Sequence, residues 1–408
     1  MTKKRIALLV DAFPPLRSSG AVQLRDLARQ LVLMGCAPTV FVPSADLDQP
    51  HEITDYHGVR VFRFRSLRTK DVGRVRRALA EISLSFVLLR RLNNSTLRSE
   101  RWDGVVFYSP TIFLGYASKR LSAFSRCRSY LIIRDIFPEW AVDMGVMGRG
   151  LAFRFFKLWE RYQYRAADTV GVQSPANLEY YEFANLHETR LEVLHNWLQP
   201  PPAPFPESPV EIPAEADSPV IVYAGNMGVA QDLGAMLALA ERMQHKNRAR
   251  FVFVGRGSEK EALERTASAR RLENVSFHSE IDPDAIWSLY SAADLGIVSL
   301  SPALTTHNIP GKFLSYMFGG LPVFARINAG NDLEAIINDH EIGICCVSDE
   351  AAEIDAAFLE AIRISRDSEA SDRCRALAAA MFSAESAAAQ IMASLGLDPV
   401  DGGPTESE

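Results

Sequence analysis

The chain has 408 residues, about the length of two ordinary domains. Hydrophobic residues make up 48% and charged residues 23%, which excludes a disordered or collagen-like chain. No apolar run approaches the roughly 18 residues that a membrane span needs. The apolar run near the N-terminus is short and ends at Asp11, so we interpret it as a strand and not as a signal peptide. The five cysteines form no C-x-x-C pair, which favours a reducing cytoplasm over a disulfide framework or a zinc ribbon.

The net charge of −6 conceals an asymmetry along the chain. Up to Trp197 there are 29 Lys and Arg against 19 Asp and Glu, whereas the remainder has 15 against 31. The basic half is therefore expected to meet something anionic. An anionic membrane and a phosphorylated substrate fit this charge. Nucleic acid is not expected, because the basic segments contain no recognisable reading module.

Short β-branched runs alternate with amphipathic stretches through both halves, beginning with "IALLV" and "TVFVP" and resuming with "PVIVYAG" and "RFVFVG". This alternation predicts an α/β protein with two Rossmann-like domains, whose parallel sheets face each other across a ligand-binding cleft. The predicted domains are residues 1–198 and 220–398, with a proline-rich linker at 199–219 and a frayed tail at 399–408. Two positions are open for the last helix of the second domain: it packs on its own domain or crosses back to the first.

Glycine-containing loops follow several predicted strands. One contains Gly225, Asn226 and Gly228, a second contains Arg256 between two glycines, and a third contains Gly20. A glycine loop before a helix lets backbone N–H groups approach an anion, although a tight turn needs glycine for other reasons. Together the three loops predict a phosphorylated ligand between the domains, with Arg256 directed towards it.

The segment "NIPGKFLSYMFGGLPV", together with "YAGNMG", "FVGRGSEKEAL" and "NVSFHSEID", resembles glycosyltransferase family four, of the GT-B fold. The resemblance implies metal-independent, retaining transfer from a nucleotide sugar, most often UDP-linked, with no other cofactor. The second domain would hold the nucleotide, with Glu280 in the donor set, and the first domain would hold the acceptor. In addition, "RDIFPEWAVDMGVM" resembles an element of bacterial O-antigen and capsule enzymes similar to fucosamine transferases, which implies an N-acetylated amino sugar.

Lys312 follows a Pro-Gly turn at the start of a predicted helix. Its ammonium can neutralise a diphosphate leaving group, whereas the alternative is a solvated surface lysine. Asn308 and His307 lie in the same loop and are candidates to contact the sugar or the phosphates. The family's two glutamates would fall at Asn308 and Ser315, so neither position is acidic here. The Ser315 hydroxyl would bind ribose less strongly than a carboxylate.

Asp135 ends the predicted strand "YLIIRD", and Glu139 follows it by four residues. Either carboxylate could accept the acceptor's hydroxyl proton or stabilise positive charge on the sugar ring, and the alternative is an acidic helix N-terminus. Two D-x-D sequences, at 46–48 and 282–284, match a manganese-binding pattern. Their contexts indicate a loop and a helix N-terminus, so no metal site is predicted.

Two basic amphipathic stretches lie in the positive half. Residues 73–92 carry an apolar helical stripe flanked by arginines, and residues 151–165 are predicted to place four cations on one face. These cations are Arg154, Lys157, Arg161 and Arg165. Such helices favour peripheral contact with an anionic membrane, although core-facing helices with solvated basic faces are the alternative.

These observations favour a glycosyltransferase at the cytoplasmic face of the plasma membrane. Its predicted substrates are a UDP-sugar and a polyprenyl-diphosphate-linked glycan of bacterial surface polysaccharide. A nucleotide-sugar epimerase of the same fold remains an alternative. A non-catalytic nucleotide-sugar-binding subunit is a second alternative, suggested by the missing glutamates.

Overall fold

A computed structural model describes residues 3–16, 18–69, 73–134, 136–143, 145–182, 189–199, 204–212, 218–246, 249–282, 284–301 and 309–397. The chain divides into two compact units. Unit 1 comprises Met1–Trp197 and Ala384–Glu408, and unit 2 comprises Leu198–Ser383. Each unit contains a β-sheet covered by helices, and the described part of the chain contains no helix long and apolar enough to cross a bilayer.

Unit 1 is built on an eight-stranded sheet in the order β3-β4-β2-β1-β5-β6-β7-β8. Its elements up to the unit boundary are β1 (Lys4–Leu9), α1 (Ser19–Leu33), β2 (Cys36–Ser44), β3 (His51–Tyr56), β4 (Val59–Arg65), α2 (Arg74–Asn93), β5 (Gly104–Ser109), α3 (Gly115–Ser125), β6 (Arg128–Ile133), α4 (Glu139–Asp143), α5 (Leu151–Arg165), β7 (Thr169–Val172), α6 (Pro175–Glu182) and β8 (Arg190–Val193).

The central strands of unit 1 are buried on both faces, which explains their continuous apolar sequences. Along β1, Ile6 and Leu8 enter one hydrophobic core, while Ala7 and Leu9 enter the core on the opposite face. The alternation follows from the two-residue repeat of a strand. In register, Leu8 lies opposite Val40 of β2 and Val106 of β5.

The edge strand β3 is antiparallel to β4, and the expectation of a purely parallel sheet is wrong at this edge. The turn between these strands contains His57 and Gly58, both with positive φ. The sequence "HEITDY" is mostly polar, because an edge strand is only partly buried. Its lack of a continuous apolar run is why the sequence analysis missed it.

Unit 2 contains a six-stranded, fully parallel sheet in the order β11-β10-β9-β12-β13-β14. A 3₁₀ turn (Val229–Gln231) follows the first strand. Its other elements are β9 (Val220–Ala224), α7 (Leu233–Lys246), β10 (Arg250–Val254), α8 (Lys260–Ala269), β11 (Val275–His278), α9 (Ile286–Ser291), β12 (Leu295–Ser299), α10 (Gly311–Phe318), β13 (Val323–Arg326), α11 (Asp332–Asp339), β14 (Gly343–Cys346), α12 (Ala351–Ser365) and α13 (Ala370–Met381).

The last helix, α14 (Ala384–Leu395), belongs to unit 1 and not to unit 2. Ile391, Met392 and Leu395 are buried in the core that also contains Leu27 and Leu31 of α1. The alanine-rich sequence of α14 permits close approach to α1. The boundary near residue 398 is therefore replaced by one at Ser383, after which the chain returns to unit 1.

The proline-rich segment, where it is described, packs on unit 2. Val210 is buried in the unit 2 core, and the Phe205 ring lies 6.0 Å from the Trp287 ring. Ser288 also donates a hydrogen bond from Oγ to the carbonyl of Pro206, at 2.5 Å. Residues 204–212 are thus part of the domain surface and do not form a free linker.

Two loops of unit 2 are held together by their backbones at the ends of β9 and β10. Gly225 donates from its N–H to the Val254 carbonyl at 2.9 Å, and Met227 donates to the Arg256 carbonyl at 2.7 Å. Gly255 has a φ of +146°, and a Cβ atom there would overlap the Gly225 carbonyl. Only glycine therefore permits the two loops to pack at this distance.

We expect Gly255→Ala to lower the free energy of unfolding by at least about 2 kcal/mol, because the variant combines an unfavourable φ with a backbone collision. The measurement is urea denaturation followed by circular dichroism. The matched control is Gly234→Ala, whose added Cβ meets no atom within 4 Å in α7. That change should be neutral or stabilise by up to about 1 kcal/mol. Equal stability of the two variants would contradict the packing role of Gly255.

Candidate functional site

Lys312, the second residue of α10, lies over the end of β9. Its Nζ donates a hydrogen bond to the Tyr223 hydroxyl at 2.7 Å and lies 4.0 Å from the centre of the Tyr223 ring. The Tyr223 hydroxyl donates in turn to the Asn226 carbonyl at 2.5 Å. Lys312 is therefore held against the first glycine loop and is not a freely solvated surface lysine.

Burial lowers the pKa of the Lys312 ammonium to about 7. No carboxylate among the described residues forms an ion pair with it, although the ring face of Tyr223 offers some stabilisation of the cation. An ammonium that is desolvated without an anionic partner is poised to bind an anion, since the anion restores the favourable electrostatics that burial removed.

Gly225 makes room for this lysine. It has a φ of +145°, and a Cβ atom there would lie 3.3 Å from the Lys312 Cε. Next along the loop, the Asn226 amide and the Gly228 N–H both donate to the Gln231 side-chain oxygen, at 3.2 and 3.1 Å. The predicted residues Gly225, Asn226 and Lys312 are thus in one cluster, and Gly228 shapes the turn that follows it.

Ser315 lies one helical turn beyond Lys312 and is half-buried. Its Oγ donates to the Gly311 carbonyl at 3.4 Å, which is a weak helix-internal contact. The Ser315 side chain also forms a hydrogen bond with the Tyr290 side chain. The structure therefore places Ser315 on the same face of α10 as Lys312.

Arg256 and Glu280 lie close together and form an ion pair with each other. The Arg256 Nε lies 3.3 Å from a Glu280 carboxylate oxygen, and the two side chains are 80% and 55% exposed. A pair this exposed contributes little to stability. Both residues follow strands at the same edge of the sheet, β10 and β11, so they lie on the surface beside the second glycine loop.

Gly20 lies in unit 1, at the start of α1, while the other predicted donor residues belong to unit 2. The helix is capped by Ser18, whose Oγ accepts from the Ala21 N–H at 3.4 Å. A Cβ atom at Gly20 would lie 3.1 Å from the Tyr108 hydroxyl. Gly20 therefore lets the first turn of α1 approach the end of β5.

A cavity of about 320 Å³ opens beside Gly20 at the carboxyl ends of β1, β5 and β6. The lining residues that carry polar side chains are Asp11, Ser18, Ser19, Tyr108 and Arg134. One guanidinium nitrogen of Arg134 is buried and has no hydrogen-bond partner among the described residues. The sequence analysis missed Asp11 and Arg134 as site residues, although both directly follow apolar strands, which is the available signal.

Glu139 begins α4 and lies 2.8 Å from the Lys157 ammonium of α5. Lys157 also pairs with Glu160, which is fully buried and accepts hydrogen bonds from the Tyr164 and Tyr180 hydroxyls at 2.6 and 3.0 Å. Burial raises the pKa of the Glu160 carboxyl. Glu139 is therefore tied into a charged network, and Lys157 points inward instead of joining a basic outer face as predicted.

Three other candidates, Asp135, His307 and Asn308, lie outside the described residues. Asp46 of the first D-x-D sequence pairs with Arg68 at 2.7 Å on the surface, while Asp282 accepts a hydrogen bond from the Asp284 N–H at 3.0 Å. Within the described ranges there is no group of three or more side chains suited to hold a metal ion.

The chain has two α/β units and shares the GT-B fold of similar solved structures, which confirms the predicted fold class. Two family models match the chain: a glycosyl transferase 4-like domain over residues 20–197, in unit 1, and glycosyl transferases group 1 over residues 218–363, in unit 2. The chain is therefore a glycosyltransferase of these families.

Known proteins similar to the chain agree with this assignment. The probable glycosyltransferase WbjE of Pseudomonas aeruginosa is 23% identical over 338 residues, which cover 79% of this chain and 82% of WbjE. The structure of Anabaena HepE in complex with UDP has a TM-score of 0.64 at 15% identity and covers 96% of this chain and 99% of HepE. WaaG, a glycosyltransferase involved in lipopolysaccharide biosynthesis, has a TM-score of 0.62 at 14% identity, with 95% and 99% covered.

We expect Lys312→Met to raise the melting temperature at pH 6.5, because it removes a desolvated charge. The folded pKa of about 7 lies below the unfolded value of about 10.4, so between these values only the unfolded state binds the proton. Wild-type stability therefore rises with pH across this window, and the advantage of the variant should shrink towards pH 10. The measurement is thermal unfolding across that range.

The matched control is Lys260→Met in the same unit, because Lys260 forms an ion pair with Glu264 at 2.5 Å. It should not stabilise the protein at pH 6.5. A destabilised Lys312→Met at every pH would show that the ammonium is a favourable structural contact and not a desolvated charge.

Proposed function

We propose that the protein is a retaining glycosyltransferase that moves a sugar from a UDP-sugar to a lipid-linked glycan in bacterial surface polysaccharide biosynthesis. The observation that carries the donor part is the half-buried ammonium of Lys312, which has no anionic partner among the described residues and lies beside the first glycine loop. HepE, which has the same fold, is in complex with UDP, and WaaG is involved in lipopolysaccharide biosynthesis.

In this proposal the diphosphate lies between Lys312 and the backbone of the glycine loop. The bond between the anomeric carbon and the diphosphate oxygen breaks, and its electron pair leaves with UDP. Lys312 stabilises the negative charge that develops there, and the N-terminus of α10 contributes in the same direction. The Ser315 hydroxyl faces the ribose in place of the family's glutamate.

The acceptor hydroxyl forms the new bond to the anomeric carbon and loses its proton. Asp135 and Glu139 are the proposed carboxylates for this region of unit 1. Glu139 is held by Lys157 at 2.8 Å, which fixes the position of its carboxylate in this region. The cavity beside Gly20, with Asp11 and Arg134 at its walls, offers hydrogen-bond partners for a sugar.

The resemblance of "RDIFPEWAVDMGVM" to O-antigen and capsule enzymes supports an N-acetylated amino sugar as the transferred group. The same resemblance supports a polyprenyl-diphosphate-linked acceptor at the cytoplasmic face of the plasma membrane. The excess of cations in the N-terminal half is the charge that such an acceptor needs. No divalent metal is invoked, since Lys312 and the helix N-terminus supply the positive charge.

We expect Lys312→Met to weaken UDP binding by about 10- to 150-fold, the loss of one charge-assisted hydrogen bond. Ser315→Ala should weaken it by only about 2- to 10-fold, because a neutral hydroxyl contributes less. Ser315→Glu should tighten it. The measurement is calorimetric titration of UDP into each variant.

The control is Arg366→Met, which removes an exposed cation at the end of α12 in the same unit and should leave the affinity unchanged. Wild-type affinity in Lys312→Met would place the diphosphate elsewhere. If Ser315→Glu alone fails to tighten binding, the diphosphate site stands and the ribose is held by other groups.

Transfer itself is tested with labelled UDP-sugars and polyprenyl-diphosphate-linked saccharides in EDTA. We expect a product longer by one sugar, formed without added metal. Glu139→Gln should lower turnover while UDP affinity stays unchanged, because Glu139 belongs to the acceptor side. A changed sugar without transfer would identify the epimerase alternative, and UDP-sugar binding without any product would identify the binding subunit. Activity that needs Mn²⁺ would contradict the metal-independent proposal.

A further inference from the structure

A second cavity in unit 1, of about 530 Å³, lies between α2, α3 and the segment before β5. Its walls include Asn94 and Glu100, which precede β5, and Phe124 in the last turn of α3, which precedes β6. The cavity is therefore near the amino ends of these strands. It lies at the opposite end of the sheet from the cavity beside Gly20, and the proposed transfer reaction does not use it.

Three arginines line this cavity: Arg90, Arg98 and Arg120. All three are exposed, and within the described residues none of their guanidinium groups forms an ion pair or a hydrogen bond. Arg90 lies in the last turn of α2, where a cation complements the helix dipole. That explanation does not cover Arg98, which follows the helix, or Arg120 in the middle of α3.

The acidic residue of the cavity wall is already neutralised. The Glu100 carboxylate pairs with the Arg60 guanidinium at 2.5 Å, and Arg5 approaches it at 3.9 Å. The cavity consequently presents uncompensated positive charge. Three guanidinium groups around one cavity suit the oxygens of a phosphate, which accept their hydrogen bonds in pairs.

The rest of the wall is apolar and partly exposed. Phe86 is 51% and Phe124 is 48% exposed, and both lie in the same cavity as the arginines. Phe86 belongs to the apolar stripe predicted on residues 73–92, and so does Leu79, which is 59% exposed. The helix instead buries Leu84, Leu88 and Leu92 in the core, so Leu79 and Phe86 of the stripe face outward.

Helix α3 connects this cavity to α5. On α3, Tyr116 lies 5.0 Å from the Phe86 ring, and Lys119 lies 6.0 Å from the Tyr162 ring of α5. Gly115 permits this packing, because a Cβ atom there would lie 2.8 Å from the Gln163 Cα. The side chains of α2, α3 and α5 therefore form one continuous surface.

The outer face of α5 combines apolar and basic residues. Leu151 is 84% exposed and Leu158 is 66% exposed, although both are large and apolar. The exposed cations of this helix are Arg154, Arg161 and Arg165. Its one acidic residue, Glu160, is fully buried on the opposite side. A face with exposed leucines and arginines and without carboxylates matches the interface of an anionic bilayer.

We propose that this surface of α2, α3 and α5 docks unit 1 on an anionic membrane and that its arginine-lined cavity holds the headgroup phosphate of an anionic phospholipid. The apolar wall at Phe86 and Phe124 contacts the upper acyl chains, while Leu151 and Leu158 enter the bilayer interface. The proposal deepens the proposed function, since a lipid-linked acceptor requires the enzyme to work at a membrane surface.

The test is co-sedimentation with vesicles of phosphatidylglycerol and phosphatidylcholine, compared with phosphatidylcholine alone. We expect the full-length protein to bind the anionic vesicles at low salt and to be released by 1 M salt, where the Debye length is about 3 Å. Arg98→Gln combined with Arg120→Gln should lower the partition coefficient roughly 5- to 30-fold. The matched control combines Arg265→Gln and Arg366→Gln, which remove the same charge from the surface of unit 2.

The apolar contribution is tested separately with Leu158→Glu, which should lower binding to anionic vesicles at least about tenfold. Its control is Leu33→Glu at the end of α1, where the leucine is 59% exposed in the same unit. UDP titration of every variant should give the wild-type affinity, so a failure of the membrane proposal is distinguishable from a failure of the donor proposal.

Several outcomes would overturn the membrane proposal. Equal losses in the arginine pair and its control would show that only net charge matters. Equal binding to phosphatidylcholine vesicles would show that binding does not require an anionic headgroup. Inorganic phosphate that displaces the protein from vesicles at millimolar concentration would show that the cavity is a site for a soluble anion. An unaffected Leu158→Glu would show that α5 does not enter the bilayer interface.

Discussion

Direct backbone packing between two glycine loops sets the geometry of unit 2. No side chain separates Gly255 from Gly225. The loops at the ends of β9 and β10 are therefore joined directly by backbone hydrogen bonds of 2.7–2.9 Å, which fix their relative position. Tyr223 is fixed in the core below these loops, and its hydroxyl bridges Lys312 and the loop carbonyl of Asn226. The position of the half-buried ammonium, on which the proposed donor site depends, follows from this arrangement.

Unit 1 carries different chemistry at the two ends of its sheet. At the carboxyl ends of the strands, Asp11 and Arg134 line a small polar cavity, as expected where loops of a parallel sheet converge. Towards the amino ends, arginines and exposed aromatic rings line a larger cavity. The separation would let a lipid surface and a sugar acceptor occupy unit 1 at the same time.

The network of Glu139, Lys157 and Glu160 shows how a charged group can serve two purposes. A carboxylate buried as completely as Glu160 needs compensation, which Lys157 and two tyrosine hydroxyls supply. Lys157 is thereby drawn inward from a helix whose other cations remain exposed. The same ammonium reaches Glu139, so the core of unit 1 orients a candidate catalytic carboxylate.

The sequence by itself determined the α/β class, the succession of most strands and the glycosyltransferase resemblance, because buried parallel strands and glycine loops leave local patterns. It also located Lys312 at a helix start. Only the tertiary structure decided that α14 returns to unit 1, that Leu79 and Phe86 of α2 face outward and that Lys157 points inward. Each of these depends on which surface packs against a helix. Periodicity identifies an apolar face of a helix. Whether another element covers that face depends on contacts between residues that are distant in sequence.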